Sequence, residues 1–143
     1  MEKDRKFDAS IRISGIHLTE NDGDDVREEH TGYLSKKADK IYIVYEDGGI
    51  RNMIKIGSDM VSLTKTCLYH GTRRVMAELT YISGSTIAGF YETPYGRLEP
   101  EMETKVMAVK EYEKSVSCLL KGRMKLNGSF VSDFNLDIEA AVI

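Results

Sequence analysis

The chain has 143 residues, of which 41% are apolar and 30% charged, a length and balance that suit one globular domain able to build a core without disulfides or metals. Its net charge of −3 carries no basic excess to mark a nucleic-acid partner. No stretch approaches the roughly 18 apolar residues of a membrane helix.

The first residues, MEKDRKFDAS, are charged where a signal peptide needs an apolar run, so a cytoplasmic protein is expected. Beyond them, apolar and polar residues alternate with a period of two, the mark of strands with one buried face. SIRISGIHL, 10 to 18, reads as a strand with a bulge near Gly15, and NDGDD, 21 to 25, as turn material. DVREEHTGYLSKK, 25 to 37, returns as a second strand. KIYIVYED, 40 to 47, and IRNMIKI, 50 to 56, flank Asp47-Gly48. Pairing Glu46 with Gly49 sets Ile41 against Ile54 and Tyr45 against Ile50, which keeps apolar residues together. Further strands are predicted at about 59 to 67, 73 to 82, 85 to 93 and 97 to 109. The stretch 103 to 115 is the best helix candidate, but its Thr and Val residues favour a strand.

ETPYG, 92 to 96, reads as a hairpin corner. Pro94 presets φ for position i+1 of a type I turn, and Gly96 suits a left-handed bulge position. A three-residue loop would pair Thr93 with Arg97 and Ala88 with Met102. The functional alternative hangs Tyr95 over a barrel mouth. Pro100 cannot donate to a ladder, so a bulge or an edge is expected beside it.

The last two strands meet at Asn127-Gly128. A two-residue type I′ turn there would pair Gly122 with Asp133 and put Phe134 on the face of Lys121. A three-residue loop, 126 to 128, pairs Lys125 with Ser129 and sets Met124 against Phe130 and Leu120 against Phe134. Burial favours that loop, with Gly128 left-handed in a bulge. Strands at this spacing imply an all-β sandwich or barrel.

GSTIAGFYETPYGRL with MET at 102 to 104, supported by TGYL (31 to 34), KIYIVYED, IKI (54 to 56) and the closing strand pair, resembles the YwiB-like family of uncharacterised bacterial β-barrel proteins. The likeness runs over nearly the whole chain. It implies an all-β fold, a closed antiparallel calycin or lipocalin-like barrel of about 8–10 strands. It implies no activity, cofactor or catalytic residue. CLYHGT, 67 to 72, is longer than the family's usual glycine turn, which leaves the register there open.

Chemistry has few candidates. His17, His30 and His70 show no HxH or HxxxH spacing, and Cys67 and Cys118 form no CxxC, so neither a metal site nor a disulfide is expected. Cys118 lies on a core face and reads as an inert buried thiol. Glu99, Glu101 and Glu103 read as a solvated outer face. Arg73, Arg74 and Lys65 form a local basic cluster of ordinary surface type. No nucleotide-loop or nucleophile-elbow motif occurs. The polar residues on predicted inner faces or at the mouth are Asn52, Tyr95, Thr104, Tyr112, Lys114 and Ser132. Either they satisfy one another, backbone or water, or they orient a small ligand in a largely apolar pocket. A ligand-binding barrel is therefore the first expectation. A side-chain-filled interaction module is the alternative, and an enzyme ranks last.

Overall fold

The period-two pattern folds as it reads, into antiparallel strands. A computed structural model describes residues 5–16 and 26–143; His17 and the expected turn at 21–25 lie outside them. Among the described residues the strands number twelve: β1 (Arg5–Ile16), β2 (Val26–Lys37), β3 (Lys40–Asp47), β4 (Ile50–Ile56), β5 (Met60–Tyr69), β6 (Thr72–Ile82), β7 (Thr86–Ala88), β8 (Phe90–Thr93), β9 (Gly96–Leu98), β10 (Pro100–Glu111), β11 (Ser115–Leu126) and β12 (Ser129–Val142). The helix candidate at 103–115 is the second half of β10, its turn and the start of β11. No helix of the described residues is long and apolar enough to cross a membrane.

The strands form one strongly curled sheet in the order β7-β10-β11-β12-β1-β2-β3-β4-β5-β6-β8-β9. The fold is all-β and barrel-like, but the expected closed barrel of 8–10 strands is corrected in two respects. There are twelve strands, and the hydrogen-bonded ladder is open, ending on β7 and β9. The chain itself bridges the gap between the ends. In the segment 86–93, β7 pairs with β10 and β8 pairs with β6, and the change of partner falls at Gly89. The Gly89 N–H donates to the Pro100 carbonyl, and a Cβ at Gly89 would stand 2.3 Å from the Glu78 carbonyl oxygen. Glycine is what lets the segment pass so close to β6. Pro100 opens β10 at this seam, where its carbonyl accepts from Gly89 and, lacking an N–H, it returns no bond. The bulge in β10 lies further on, between Thr104 and Val106.

The turns correct three expected registers. β11 and β12 join through a two-residue turn with Asn127 at φ 52° and Gly128 at φ 79°, the type I′ form. A bulge between Met124 and Lys125 then shifts the ladder, so that Gly122 meets Phe134 and Leu120 meets Leu136. Phe134 reaches the core as burial requires, but by a bulge in the strand rather than by a longer loop. Phe130, on the turn side of that bulge, points to solvent, with the Arg123 guanidinium 5.5 Å from its ring. β3 and β4 turn at Gly48-Gly49, pairing Asp47 with Ile50 and Ile43 with Ile54. That register is two residues from the expected one, so every side chain keeps its face. The corner at Pro94-Tyr95 pairs Thr93 with Gly96 rather than with Arg97. The Thr93 hydroxyl fixes it by donating to the Gly96 carbonyl at 2.7 Å and accepting from the Tyr95 N–H at 3.1 Å. The turn left open at 67–72 is His70-Gly71, with Tyr69 paired to Thr72.

Inside the curl, Ile11, Leu34, Ile43, Ile54, Leu120 and Ile138 belong to one continuous core cluster and are at most 1% exposed. Each such burial is worth roughly 1.5–3 kcal/mol against exposure. Lys36 reaches from β2 to Glu111 on β10, where Nζ meets the carboxylate at 2.8 Å.

Candidate functional site at the polar end of the barrel

The inner face of β2 starts polar. Its even positions, Glu28, His30, Gly32 and Leu34, are sheltered or buried, while Arg27, Glu29, Thr31 and Tyr33 are exposed. His30 lies opposite Ile11 and Glu28 opposite Ile13, beside the apolar face of β1. On β3 the inner positions run Ile41, Ile43, Tyr45 and then exposed Asp47. Tyr45 pairs with Gly32, which brings it beside His30. A Cβ at Gly32 would stand 2.0 Å from the Val44 carbonyl oxygen and 3.0 Å from the Tyr45 Cβ. Only glycine allows the two strands this approach.

Two contacts hold the His30 ring. Nε2 lies 3.0 Å from Glu28 Oε1, within hydrogen-bond distance of the carboxylate. The ring stacks on Tyr45 with centroids 4.1 Å apart and planes 15° from parallel. Asp47 completes the group: one donor atom each from Glu28, His30 and Asp47 all fall within 4.8 Å of one another. Burial, then the Glu28 and Asp47 carboxylates, push the Tyr45 hydroxyl well above its ordinary pKa, so it stays protonated at neutral pH. Across β4, Asn52 faces Tyr45, is 6% exposed, and donates from its amide to the Ile50 carbonyl at 3.2 Å. Lys65 on β5 is the next partner in that row. This end thus combines two carboxylates, an oriented imidazole and a phenol. It can bind a cation or move a proton.

The six residues singled out from the sequence do not converge. Asn52 lies at this end, and Thr104 is buried at the seam, where its hydroxyl has no hydrogen-bond partner among the described residues. The Thr104 backbone joins the seam by accepting from Gly84 N–H and donating to the Ser85 carbonyl. Ser132 is half-buried opposite Met124, beside the β12 bulge. Tyr95 is 97% exposed at the tip of its turn. Tyr112 and Lys114 are exposed between β10 and β11, where their carbonyls accept from Lys36 Nζ and Val142 N–H. Glu103 and Glu101 belong to the outer face, where they meet Lys125 Nζ and the Gly128 N–H. Cys118 is buried, and burial first, then Asp137, pushes its thiol up to about 12.

Sequence reading missed Glu28, His30, Tyr45 and Asp47 as a group. The signal was the alternation in REEHTGYL, which sets Glu28 and His30 on the same face as Leu34. A concavity of about 450 Å³ lies on the outer side of β1–β4 and is lined chiefly by Lys6, Asp8, Tyr33, Val44, Glu46 and Arg51. Lys6 Nζ sits 4.8 Å from the Tyr33 ring centre there.

Residues 11–138 match the family described as Domain of unknown function (DUF1934). No curated protein matches the sequence. Among solved structures, the crystal structure of the ywiB protein from Bacillus subtilis superposes with a TM-score of 0.75 at 14% identity, covering 98% of this chain and 95% of that one. At that identity the likeness speaks for the fold.

Proposed function

The chain belongs to the DUF1934 family of domains of unknown function, and from that premise we propose that it is a cytoplasmic, calycin-like binding barrel whose ligand docks at the polar end of β2–β4. The observation that carries this reading is the His30 ring, bonded to Glu28 and stacked on Tyr45 where the inner face of β2 and β3 turns from aliphatic to ionisable. The inner positions of β1, β3, β4, β11 and β12 are already filled by one another's side chains, which favours a ligand at the end over an apolar ligand deep inside. Fold analogy alone would not select a ligand, so the reading rests on these side chains.

The test is native mass spectrometry of the protein purified gently from the cells that produce it, beside its His30→Gln variant. A bound mass that is lost on denaturation and lost in the variant supports the reading. Bare chain in both refutes it.

An alternative reading, an interaction module without a small ligand, draws on the edge of β10. Its pairing with β7 stops at Glu103, and past the bulge Val106 and Val109 are exposed on a strand laddered to β11 alone among the described residues. Such an edge can accept a further strand. Lys105 and Lys110 on the same stretch oppose indiscriminate pairing. A concentration-dependent mass in sedimentation, abolished by Val106→Pro, would favour this alternative.

A further inference from the structure

We propose that Glu28, His30 and Asp47 form a binding site for one divalent transition-metal ion. The inference rests on the reading of the polar end as the binding end, and names what binds there first. The three residues come from two strands, and the pairing of Gly32 with Tyr45 sets those strands in register. Their donor atoms lie within 4.8 Å of one another, and the Glu28–His30 pair is at 3.0 Å. Ligands on a tetrahedral ion at bond lengths of ~2.1 Å stand about 3.4 Å apart, so a small movement of one side chain completes the geometry. Asp47 can supply it, because it is exposed and makes no side-chain hydrogen bond or ion pair among the described residues.

Donor chemistry selects the class of ion. One imidazole with two carboxylates suits zinc, manganese or ferrous iron. Calcium and magnesium prefer all-oxygen shells, and cuprous copper prefers sulfur. The ring is already oriented, since Tyr45 fixes its plane by stacking. A ligating histidine needs such support to hold its aim. Sequence spacing gave no hint, because the ligand pair Glu28 and His30 is separated by two positions on a strand and Asp47 arrives from the next strand. Three protein ligands leave a zinc-like ion an open position.

The experiment uses the full chain stripped with a chelator, then titrated with Zn²⁺ by calorimetry and with Co²⁺ by visible absorption. One ion per chain is expected. His30→Gln should weaken binding by about 100-fold or more, and Asp47→Asn by about tenfold. Asp47 is exposed, so its variant keeps the fold, and circular dichroism of both variants in chelator checks this. His70→Gln serves as the control and should bind as wild type does. Failure to bind either ion overturns the proposal, as does binding that survives His30→Gln or falls in His70→Gln. If no metal binds but the native mass spectrum still shows a His30-dependent adduct, the metal site falls and the binding end stands. If neither is seen, both fall.

Discussion

On its inner face strand β3 runs from an aliphatic end to a polar one, paired along its length with β4. At one end Ile41 meets Ile56 and Ile43 meets Ile54, and all four are at most 5% exposed. Two residues further on, Tyr45 meets Asn52, and the inner position after that is Asp47. The backbone geometry does not change along this face, but the chemistry does. The difference teaches how the barrel divides its tasks. The aliphatic end supplies transfer free energy from tightly packed side chains. The polar end, one step along the same ladder, gives up part of that stabilisation and holds ionisable groups in fixed relation.

The widest gap between the two ends should show in a matched pair of truncations on β4. Ile54→Ala removes a side chain that is 1% exposed and should cost about 2–5 kcal/mol. Asn52→Ala, two positions away on the same face, loses one backbone-directed hydrogen bond and should cost about 0.5–1.5 kcal/mol. Urea unfolding of the two variants measures both. Equal costs would break the division, because the polar end would then be as structural as the aliphatic one. Gly32→Ala strikes the junction. Its new Cβ would meet the Val44 carbonyl oxygen, so the strands must part at a cost of about 1–3 kcal/mol. Tyr45 should move with them, and the stack on His30 should loosen. A high-resolution nitrogen-15 spectrum of the His30 ring would show it, and an unchanged ring environment would mean that Gly32 serves packing alone.

The aliphatic end was legible in the sequence and the polar end was not, for a physical reason. Faces follow from a period of two, so Leu120, Leu136 and Ile138 could be placed inside without any structure. Register needs more, because each turn allows shifts that keep the faces intact. The two-residue displacement at Gly48-Gly49 left every isoleucine inward but changed the partner of Tyr45 from Ile50 to Asn52. At Asn127-Gly128 the local preference for a type I′ turn and the demand of burial were both met, because a bulge absorbed the conflict. A rule that makes the turn and the core compete cannot foresee that solution. The seam was hidden for a similar reason. The stretch 85–93 reads as one strand, yet it divides its hydrogen bonds between β10 and β6 at Gly89. The group of Glu28, His30 and Asp47 depends on cross-strand register, so no spacing motif could reveal it.

The smallest expected effect concerns ionisation within the core itself. Burial first, then Asp137, raises the Cys118 thiol from 9.0 to about 12. An unfolded chain releases this proton near the ordinary value, while the folded chain holds it. Above that value the unfolded state binds fewer protons, so stability falls as pH rises from about 9 towards about 12, and below it the contribution is fully present. Tyr81, raised by burial and then by Cys118, acts with the same sign at higher pH, as does Tyr45 at the polar end. Urea unfolding between about pH 8 and about pH 10 isolates the thiol, because the ordinary tyrosine value lies at the top of that window. Wild type should lose stability across it, and Cys118→Ala should lose less. The same pair should differ little in slope near neutral pH, where the thiol is protonated in both states. A slope that survives the substitution would place the titration outside the core. A slope that disappears would show that the core holds its one thiol silent by the burial that keeps Ile138 and Leu120 dry. The Glu28 and His30 side chains of the polar end, by contrast, keep part of their surface in contact with solvent.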